Sequence, residues 1–407
     1  MRIVYFHQYF ATRDSAAATR SFEIARRLVR RGHQVTVVSR DTREAAARRE
    51  LVGRERIDGI DVIYIRMPYS NYYSMPMRIA SFLGFMLAAS VAGLVLPRPD
   101  VVFATSTPLT IGVPGLLTAR IKRAPFVFEI RDLWPDVPIA LGVLRNKRLI
   151  WIARALEAAL YNGAERVIVL SEGSRDALLE QGIDGAKIVF APNASDLDLF
   201  SPGNADRGFR ERHGLRDKFV ALYTGAMGRA NGTDQLADAA ALLRASGEEA
   251  VALVAIGDGS ERPRLEERRR RERLDNLLLL PPMPKRELAG IVGAADVTLT
   301  LFAPYPVLQT NSPNKLFDSL AAGRPVVLNL DGWLRRTVAE AGAGVYVPAG
   351  DGEALAVALA ALAREPDVVR EMGVRAHALA ESSFARDTIA DRLADTLEAV
   401  GAAAVRD

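Results

Sequence analysis

Lys315 stands in the first turn of a predicted helix, where a cation needs an explanation. In the segment TNSPNKLFDSLAAGRPVV, Ser312 suits a helix N-cap and Pro313 suits the first helical position. Gly323 suits the C-terminal end, so a helix over about 313–322 is predicted. A helix N-terminus already carries positive potential and free N–H groups, so a lysine there is mildly unfavourable unless an anion binds nearby. The pattern predicts an anion site at this turn.

Two glycine-containing turns follow predicted strands in the same half of the chain. Gly225 and Gly228 allow a ligand to approach the backbone closely, and Arg229 adds a positive charge to that turn. Gly257 and Gly259 follow the next predicted strand in the same way. Three loops of this kind, each after a strand, favour a diphosphate as the anion.

Asp318 lies one helical turn after Lys315 and has two interpretations. Its carboxylate could accept hydrogen bonds from a ribose diol. It could equally form an ion pair with Lys315, three residues away on the same helix, worth roughly 0.2–0.5 kcal/mol. The spacing alone favours neither.

Several common cofactor and catalytic motifs are absent from the sequence. The first predicted strand leads into His7-Gln8-Tyr9-Phe10, and neither glycine turn completes a G-x-G-x-x-G fingerprint, which argues against a nicotinamide cofactor. There is no Walker A loop and no G-x-S-x-G elbow. We therefore expect no cofactor.

Metal binding is not expected either. The chain has no cysteine and only four histidines, which excludes thiolate zinc and iron–sulfur sites. Asp196-Leu-Asp198 matches the D-x-D motif by which many sugar transferases bind a metal. It lies between the two halves of the chain, however, and not at the end of a central strand.

The elements that position these residues alternate between strand and helix, a pattern typical of parallel α/β sheets. The predicted strands are 2–7, 34–39, 62–66, 101–106, 126–131, 166–170, 187–191, 219–224, 251–256, 277–280, 297–302, 326–330 and 345–347. A chain of 407 residues is too long for one ordinary core. The fold class predicted is α/β, with two doubly wound Rossmann-like domains facing a central cleft, and ligands beyond the carboxyl ends of the strands.

The domain boundaries follow from a polar segment rich in proline and glycine in the middle of the chain. The first domain is predicted over 1–195, a linker over 196–217 and the second domain over 218–380. A last helix over 381–407 is expected to cross back to the first domain.

The composition excludes disorder and argues against nucleic acid as a partner. Hydrophobic residues make up 49% and charged residues 25%, as in folded globular proteins. The net charge is +4, and the densest basic run, Arg268–Arg271, is flanked by glutamates and reads as a solvated helix face. The lack of cysteine and of a signal-peptide pattern predicts a cytoplasmic protein, or one peripheral on the inner face of the membrane.

One segment bears on membranes. The run IASFLGFMLAASVAGLVL, residues 79–96, is uncharged and close to the lower length limit of a spanning helix. The default interpretation is a buried or half-exposed helix between two strands. The alternative is a surface helix that leans into a bilayer. A spanning helix is least favoured because it would separate strands 1–66 from their sheet partners.

The order of motifs along the chain resembles a known family. The segments are HQYF, ATRSFEIARRLVRRGHQVTVVS, FEIRDLWPD, VIVLSEGSRDALL, APNASDLDLFSP, TGAMGRANG, AIGDG and SPNKLFDSLAAGRPVV. This succession resembles glycosyltransferase family 4, retaining enzymes with the two-domain GT-B fold, and within it the WbuB-like branch of bacterial surface-polysaccharide enzymes. The resemblance covers nearly the whole chain.

The resemblance implies that the second domain binds the donor, a nucleotide-diphosphate sugar. Gly225, Gly228 and Arg229 would contact the diphosphate from one side, and Lys315 with the amides of 314–317 from the other. Asp318 would contact the ribose, and the loop around Met283 would lie near the base. The full expected donor set is Gly225, Gly228, Arg229, Gly257, Met283, Ser312, Asn314, Lys315, Leu316 and Asp318.

The same resemblance assigns the first domain to the acceptor and the transferred sugar. The expected residues there are His7, Arg20, Arg131, Asp132 and Trp134. Three of these residues have two interpretations each. Asp132 is either a general base or a partner of Arg131, and His7 is either a proton shuttle or a structural loop residue. Trp134 is either a platform for a sugar or lipid or a part of the core. The chain departs from the family pattern at ATRDSAAAT, where the family has glycines, at Arg229-Ala-Asn-Gly, where it has a second cation, and at Thr310, where it has a glutamate.

The function expected is transfer of a sugar from a nucleotide-diphosphate donor, with UDP as the nucleotide, to a hydroxyl acceptor with retention. Arg229 and Lys315 would stabilise the negative charge that grows on the leaving diphosphate, in place of a metal. The sugar would be of hexosyl or N-acetylhexosaminyl type, and the acceptor a polyprenyl-diphosphate-linked saccharide. A sugar-nucleotide epimerase and a non-catalytic nucleotide-sugar-binding protein remain alternatives.

Overall fold

The computed structural model describes residues 1–15, 18–41, 51–68 and 73–404, and the chain divides into two compact units. The first comprises Met1–Thr12, Ala17–Pro192 and Asp387–Asp407. The second comprises Arg13–Ala16 and Asn193–Arg386. Residues 196–217, predicted as a linker, therefore belong to the second unit, and residues 381–386 belong to it as well.

The first unit is built on an eight-stranded sheet in the order β3-β4-β2-β1-β5-β6-β7-β8. Its strands are β1 Arg2–Phe6, β2 Gln34–Arg40, β3 Val52–Ile57, β4 Ile60–Ile65, β5 Val101–Thr105, β6 Phe126–Ile130, β7 Arg166–Val169 and β8 Ile188–Phe190. All pairs are parallel except β3 with β4. The strand order reverses between β1 and β5, the kind of switch point at which α/β sheets bind ligands.

Helices pack on this sheet because their apolar faces need a partner. They are α1 Arg20–Arg30, α2 Met75–Val95, α3 Gly112–Lys122, α4 Asp136–Ala140, α5 Lys147–Gly163 and α6 Glu172–Glu180. Among the described residues, α2 is the helix that is long and apolar enough to cross a membrane, by length and composition alone. Of its apolar 18-residue stretch, 28% is buried. One face of α2 is buried and the other is exposed, as in the default interpretation of a half-exposed helix, and contact with a bilayer stays a prediction.

Strand β3 was not predicted from the sequence. It pairs antiparallel with β4 across the turn Asp58-Gly59, where both residues have positive φ angles of 49° and 83°. Its residues alternate between exposed and half-buried positions, since the strand covers a sheet edge. The Asp-Gly pair is a hairpin signal that could have located it.

The second unit has a six-stranded, all-parallel sheet in the order β11-β10-β9-β12-β13-β14. Its strands are β9 Phe219–Thr224, β10 Val251–Ile256, β11 Leu277–Leu280, β12 Val297–Thr300, β13 Val326–Leu328 and β14 Gly344–Tyr346. Its helices are α7 Phe209–Arg212, α8 Asp234–Ala245, α9 Arg262–Glu272, α10 Lys285–Ala294, α11 Asn314–Ala321, α12 Trp333–Glu340, α13 Gly352–Arg364 and α14 Pro366–Ser383. The order reverses between β9 and β12, and the predicted fold class of two doubly wound α/β domains is confirmed.

A final helix, α15 (Arg386–Ala403), follows α14, and residues 387–407 belong to the first unit. There Asp391 accepts hydrogen bonds from Arg27 at 2.7 Å and from Arg31. Glu398 contacts His33 at 2.7 Å. These contacts are made with α1 and with the turn that follows it.

Candidate functional site

Lys315 is a half-buried residue at the switch point of the second unit, and its charged end points inward. It lies in the first turn of α11, which follows β12, beside the loop after β9. Its Nζ atom is shielded from solvent and has no hydrogen-bond partner among the described residues. The Nζ atom lies 3.8 Å from the centroid of the Tyr223 ring. Burial lowers the pKa of Lys315 to about 7.

A buried ammonium without a partner destabilises the fold unless an anion binds to it. A buried charge without a partner loses its hydration, and burial of polar groups without hydrogen bonds is rare in native proteins. Asn314 adds a second buried atom without a partner, its Oδ1, at the same helix start. Arg229 is exposed and forms no ion pair within the described part of the chain. The first turn of α11 is therefore the candidate anion site, and binding of an anion there stays a prediction.

Two glycine loops build the floor of this site. A side chain at Gly225, with φ of +119°, would come within 3.3 Å of the Lys315 Cε atom. A Cβ atom at Gly257 would lie only 1.8 Å from the Gly225 carbonyl oxygen, and one at Gly259 would lie 2.5 Å from the Met227 oxygen. The glycines after β10 thus let the two loops stack. Gly257 is buried beneath the Gly225 loop, which corrects its predicted role as a direct donor contact.

Ser312 and Leu316 also differ from their predicted roles. Helix α11 begins at Asn314 with Pro313 at the N-cap position, and no side chain caps it. Ser312 instead accepts a hydrogen bond from the Asn193 N–H at 3.3 Å. The Leu316 N–H donates to the Pro313 carbonyl at 3.1 Å, so this amide is already paired. The Leu316 amide is therefore engaged, whereas the Ser312 hydroxyl still has a hydrogen that it can donate to a ligand.

Asp318 faces a polar cluster and not the cation one turn before it. Its Oδ1 atom accepts a hydrogen bond from Ser195 at 2.9 Å and lies 3.6 Å from the Lys285 Nζ atom. Burial raises the pKa of Asp318. Within the described residues no ion pair joins Asp318 to Lys315, so the ion-pair interpretation was wrong.

Asp196 is the centre of that cluster. It accepts hydrogen bonds from Lys285 at 2.9 Å and from the Arg386 Nε atom at 3.1 Å, and the Arg13 guanidinium lies 3.7 Å away. Burial opposes ionisation of Asp196, but the charges of Arg386 and Lys285 outweigh it and lower its pKa below its usual range. Cations therefore surround the D-x-D motif. These contacts also explain why the expected linker folds into the second unit.

The described residues contain no group of three or more histidine, aspartate or glutamate side chains that could hold a metal. Met283 lines a cavity of about 540 Å³ in the second unit. Phe209, Arg212 and Arg286 are among its other lining residues, whereas Lys315 is not. Met283 and Lys315 therefore do not line the same cavity.

In the first unit, Arg20 is part of the core. Its side chain is 1% exposed and donates two hydrogen bonds to Glu129, at 3.0 and 2.8 Å. It also donates to the carbonyls of Pro192, at 2.6 Å, and Ala191, at 2.8 Å. The predicted acceptor contact at Arg20 is thus corrected, because its guanidinium joins β6 to the segment after β8.

Arg131 and Asp132 lie at the carboxyl end of β6. Arg131 donates to Ser21 at 2.6 Å and to Thr105 at 3.1 Å, and lies 3.4 Å from Glu129. Asp132 accepts a hydrogen bond from Thr107 at 3.2 Å, and burial raises its pKa. Arg131 pairs with Glu129, and no ion pair between Arg131 and Asp132 is present among the described residues. A half-buried carboxyl with a raised pKa can act as a base or an acid.

His7 and Gln8 lie at the carboxyl end of β1, beside the switch point of the first sheet. Burial, with the nearby charge of Arg131, lowers the pKa of His7 well below its usual value. The Gln8 side chain is fully buried, and its amide nitrogen and oxygen both lack a partner among the described residues. Gln8 was missed, although its position directly after the first strand could have identified it. Trp134 is half-buried.

Comparisons with known proteins agree with this architecture. The family described as glycosyl transferase 4-like domain matches residues 15–194, and the family described as glycosyl transferases group 1 matches residues 218–365. A protein described as the colanic acid biosynthesis glycosyl transferase WcaI of Escherichia coli (strain K12) is 25% identical over 58% of this chain. That match spans 58% of the length of WcaI, less than two thirds of it.

Solved structures share the fold over almost the whole chain. The sucrose-phosphate synthase from Thermosynechococcus elongatus has a TM-score of 0.76 at 18% identity, covering 99% of both chains. The Anabaena protein HepE, solved in complex with UDP and glucose, has a TM-score of 0.72 at 18% identity, covering 97% of this chain and 99% of its own. The two family matches follow one another along the two units, and the chain belongs to glycosyltransferase family 4, with the GT-B fold.

Proposed function

We propose that the protein transfers a sugar from a nucleotide-diphosphate donor, with UDP as the nucleotide, to a hydroxyl acceptor. The observation that carries this proposal is the buried Lys315 ammonium, which has no partner among the described residues and lies beside the Gly225 loop. A diphosphate would supply the missing anion and would bind both the cation and the free helix N–H groups. The complex of HepE with UDP and glucose supports UDP as the nucleotide.

Lys315 and Arg229 would act on the leaving group in this reaction. When the glycosidic bond breaks, negative charge grows on the diphosphate oxygen while the sugar becomes oxocarbenium-like. Cationic groups already in place stabilise that charge without reorganising, and each such donor is typically worth about 2.7–4 kcal/mol. In the proposed mechanism they take the place of a metal, and no cofactor takes part.

We propose retention at the anomeric carbon. The acceptor hydroxyl would attack from the face that the diphosphate leaves, and its proton would pass to the departing phosphate oxygen. This route needs no nucleophile from the protein. Asp132 is the candidate for assisting the proton transfer, since its pKa is raised and Arg131 is engaged with Glu129.

The acceptor we propose is a polyprenyl-diphosphate-linked saccharide used in bacterial surface-polysaccharide synthesis, with a hexosyl or N-acetylhexosaminyl residue as the sugar transferred. The name of WcaI, which refers to colanic acid biosynthesis, supports a polysaccharide pathway. The exposed apolar face of α2 supports a lipid-linked acceptor. The reaction would take place in the cytoplasm or at the inner face of the membrane.

The test is product analysis with the purified full chain, UDP-glucose or UDP-N-acetylglucosamine, and an extract of lipid-linked saccharides. We expect UDP release only when acceptor is present, and an NMR coupling constant that shows the donor's anomeric configuration in the product. Conversion of the donor to its epimer without UDP release would contradict transfer. Donor binding with no turnover under any acceptor would contradict enzymatic function.

A further inference from the structure

Two side-chain amides, Asn329 and Gln235, are buried together in the second unit. Asn329 directly follows β13 and is 0% exposed, and Gln235 lies in the first turn of α8 and is 2% exposed. The Asn329 Nδ2 atom donates to the Gln235 Oε1 atom at 3.0 Å. Burial of an amide destabilises a fold unless its hydrogen bonds to water are replaced. The partners of this pair therefore show what it holds in place.

All four polar atoms of the two amides have hydrogen-bond partners. The Asn329 amide accepts from the Phe302 N–H at 2.8 Å and donates to the Phe302 carbonyl at 2.9 Å. The Gln235 Nε2 atom donates to the carbonyls of Pro348, at 3.2 Å, and Asp351, at 2.8 Å. A fully satisfied network of this kind specifies one orientation of each amide. The backbone of Phe302 is therefore fixed on this side.

The other side of the same backbone contacts the turn that carries Arg229. The Ala303 N–H donates to the Ala230 carbonyl at 2.9 Å. A Cβ atom at Gly232 would lie 2.6 Å from the Phe302 carbonyl oxygen, so the turn packs directly on this peptide. Because the amide pair fixes the peptide between Phe302 and Ala303, it also fixes the turn that packs against it.

Phe302 also lies near the second cation of the proposed donor site. The Lys315 Nζ atom is 6.0 Å from the centroid of the Phe302 ring. The peptide after Phe302 thus contacts the Arg229 turn, while its ring faces the Lys315 ammonium. Two cations that bind one diphosphate contribute most when their separation is set before the ligand arrives. The amide pair acts on the one backbone segment that contacts both.

We propose that Asn329 and Gln235 are positioning residues for the donor diphosphate. They do not contact the ligand themselves. They fix the peptide between Phe302 and Ala303, and through it the position of the Arg229 turn relative to Lys315. This inference rests on the proposed function, because it concerns the diphosphate of the donor. The alternative is a network that only stabilises the second unit, and the two differ in whether the effect depends on Arg229.

The test is a double-mutant cycle between Gln235 and Arg229, with the affinity of the full chain for UDP-glucose measured by calorimetry. Gln235→Met keeps the size of the side chain and releases the Asn329 amide. We expect it to weaken binding roughly tenfold, as for one lost hydrogen bond to a charged group. In the Arg229→Met background the same substitution should weaken binding less than about threefold, because the residue through which it acts is gone.

A second variant displaces the same peptide without removing a hydrogen bond. Gly232→Ala places its Cβ atom against the Phe302 carbonyl and should weaken UDP-glucose binding about tenfold, with the same dependence on Arg229. Gly247→Ala is the matched control. Both glycines have positive φ angles, +56° and +74°, but a Cβ atom at Gly247 would meet nothing within 4 Å. Backbone strain alone would therefore affect both variants, and displacement of the peptide only the first.

A control for the loss of a side-chain amide is Asn276→Leu. The Asn276 Nδ2 atom donates to the Ala240 carbonyl at 2.9 Å, directly before β11 and so at the amino end of the sheet. Its replacement should leave the affinity for UDP-glucose unchanged in both backgrounds, whatever the melting temperature does. Melting temperatures of all variants verify that they fold.

The proposal is overturned if Gln235→Met and Gly232→Ala fold and bind UDP-glucose like the wild type. It is also overturned if their losses of affinity are equal with and without Arg229, since the network would then only stabilise the fold. A wild-type protein that bound no UDP-glucose would contradict the proposed function itself, and this inference with it. The two failures are thus distinguished by the wild-type measurement.

Discussion

The Lys315 Nζ atom lies over the ring of Tyr223, 3.8 Å from its centroid, and next to the backbone of Gly225. The ring face offers a weak electrostatic partner, so the ammonium is held in place but not neutralised. Tyr223 is the penultimate residue of β9, and Lys315 is the second residue of α11, the helix that follows β12. Strands β9 and β12 flank the switch point. The candidate anion site therefore lies where the strand order of the second sheet reverses.

Lys315→Met should separate activity from stability. We expect turnover to fall about 100- to 1000-fold, because a preplaced charge opposite the leaving diphosphate is lost. The melting temperature should stay the same or rise, since the variant removes a buried charge without a partner. Enzyme kinetics and thermal unfolding of the same preparation check both. Lys147→Met, which removes an exposed cation of the first unit, is the control and should change neither. Normal turnover in Lys315→Met would contradict the mechanism.

Donor binding should depend on pH near neutrality. The pKa of Lys315 in the free protein is about 7, and a bound diphosphate would raise it because it favours the charged form. The affinity for UDP-glucose should therefore fall as the pH rises above about 7, by up to tenfold per unit, with uptake of a proton on binding. UDP-glucose is chosen because its diphosphate does not titrate in this range. Calorimetry in two buffers of different ionisation enthalpy measures the proton uptake, which should disappear in Lys315→Met.

Gly257→Ala tests the stacking of the two glycine loops. A Cβ atom there would lie 1.8 Å from the Gly225 carbonyl oxygen, so the Gly225 loop must shift. We expect a loss of stability of about 1–3 kcal/mol and weaker donor binding. Chemical denaturation and donor titration measure the two effects. Gly203→Ala is the matched control, since its Cβ atom would meet nothing within 4 Å, and it should be close to neutral. A Gly257→Ala protein with wild-type stability would show that the loops do not stack as described.

The sequence predicted those elements whose structure is determined by residues close together along the chain. The strands Phe219–Thr224, Val251–Ile256 and Leu277–Leu280 match their predicted bounds because each is a short apolar run with turn residues at its end. The cation in the first turn of α11 was predicted for the same reason, since the helix start and Lys315 are adjacent in sequence. Strand β3 was missed because it covers an edge and lacks a buried face.

The errors in the site come from partners that lie far away in the chain. Ser312 looked like a helix cap, but its partner Asn193 lies 119 positions away. Arg20 looked like a loop cation, but it pairs with Glu129 across 109 positions. Spacing along the sequence carries no information on such pairs. Only the folded sheet brings their strands and loops together.

The buried pair of Arg20 and Glu129 should behave as a structural element. Arg20→Met leaves the carboxylate of Glu129 buried and without its main partner, which costs about 3–5 kcal/mol. The double variant Arg20→Met/Glu129→Gln should recover much of that loss, because no unpaired charge remains. Denaturant unfolding of the single and double variants gives the coupling energy. If Arg20→Met were fully stable and only the KM for the acceptor rose, Arg20 would be an acceptor contact after all.

Gln8 should bind a polar ligand in the first unit. Its side chain is fully buried with both amide atoms unsatisfied among the described residues, which makes it destabilising unless a partner arrives. Gln8→Met keeps the shape and removes the polar atoms, so the melting temperature should rise or stay the same. If the amide hydrogen-bonds a hydroxyl of the transferred sugar or of the acceptor, the KM for that substrate should rise roughly tenfold, as expected for one lost hydrogen bond, while UDP affinity stays unchanged. Gln181→Met, which changes an exposed glutamine at the end of α6, is the control. A melting temperature that drops without any change in KM would mean that Gln8 has a structural partner, such as an ordered water, and is not a contact for substrate.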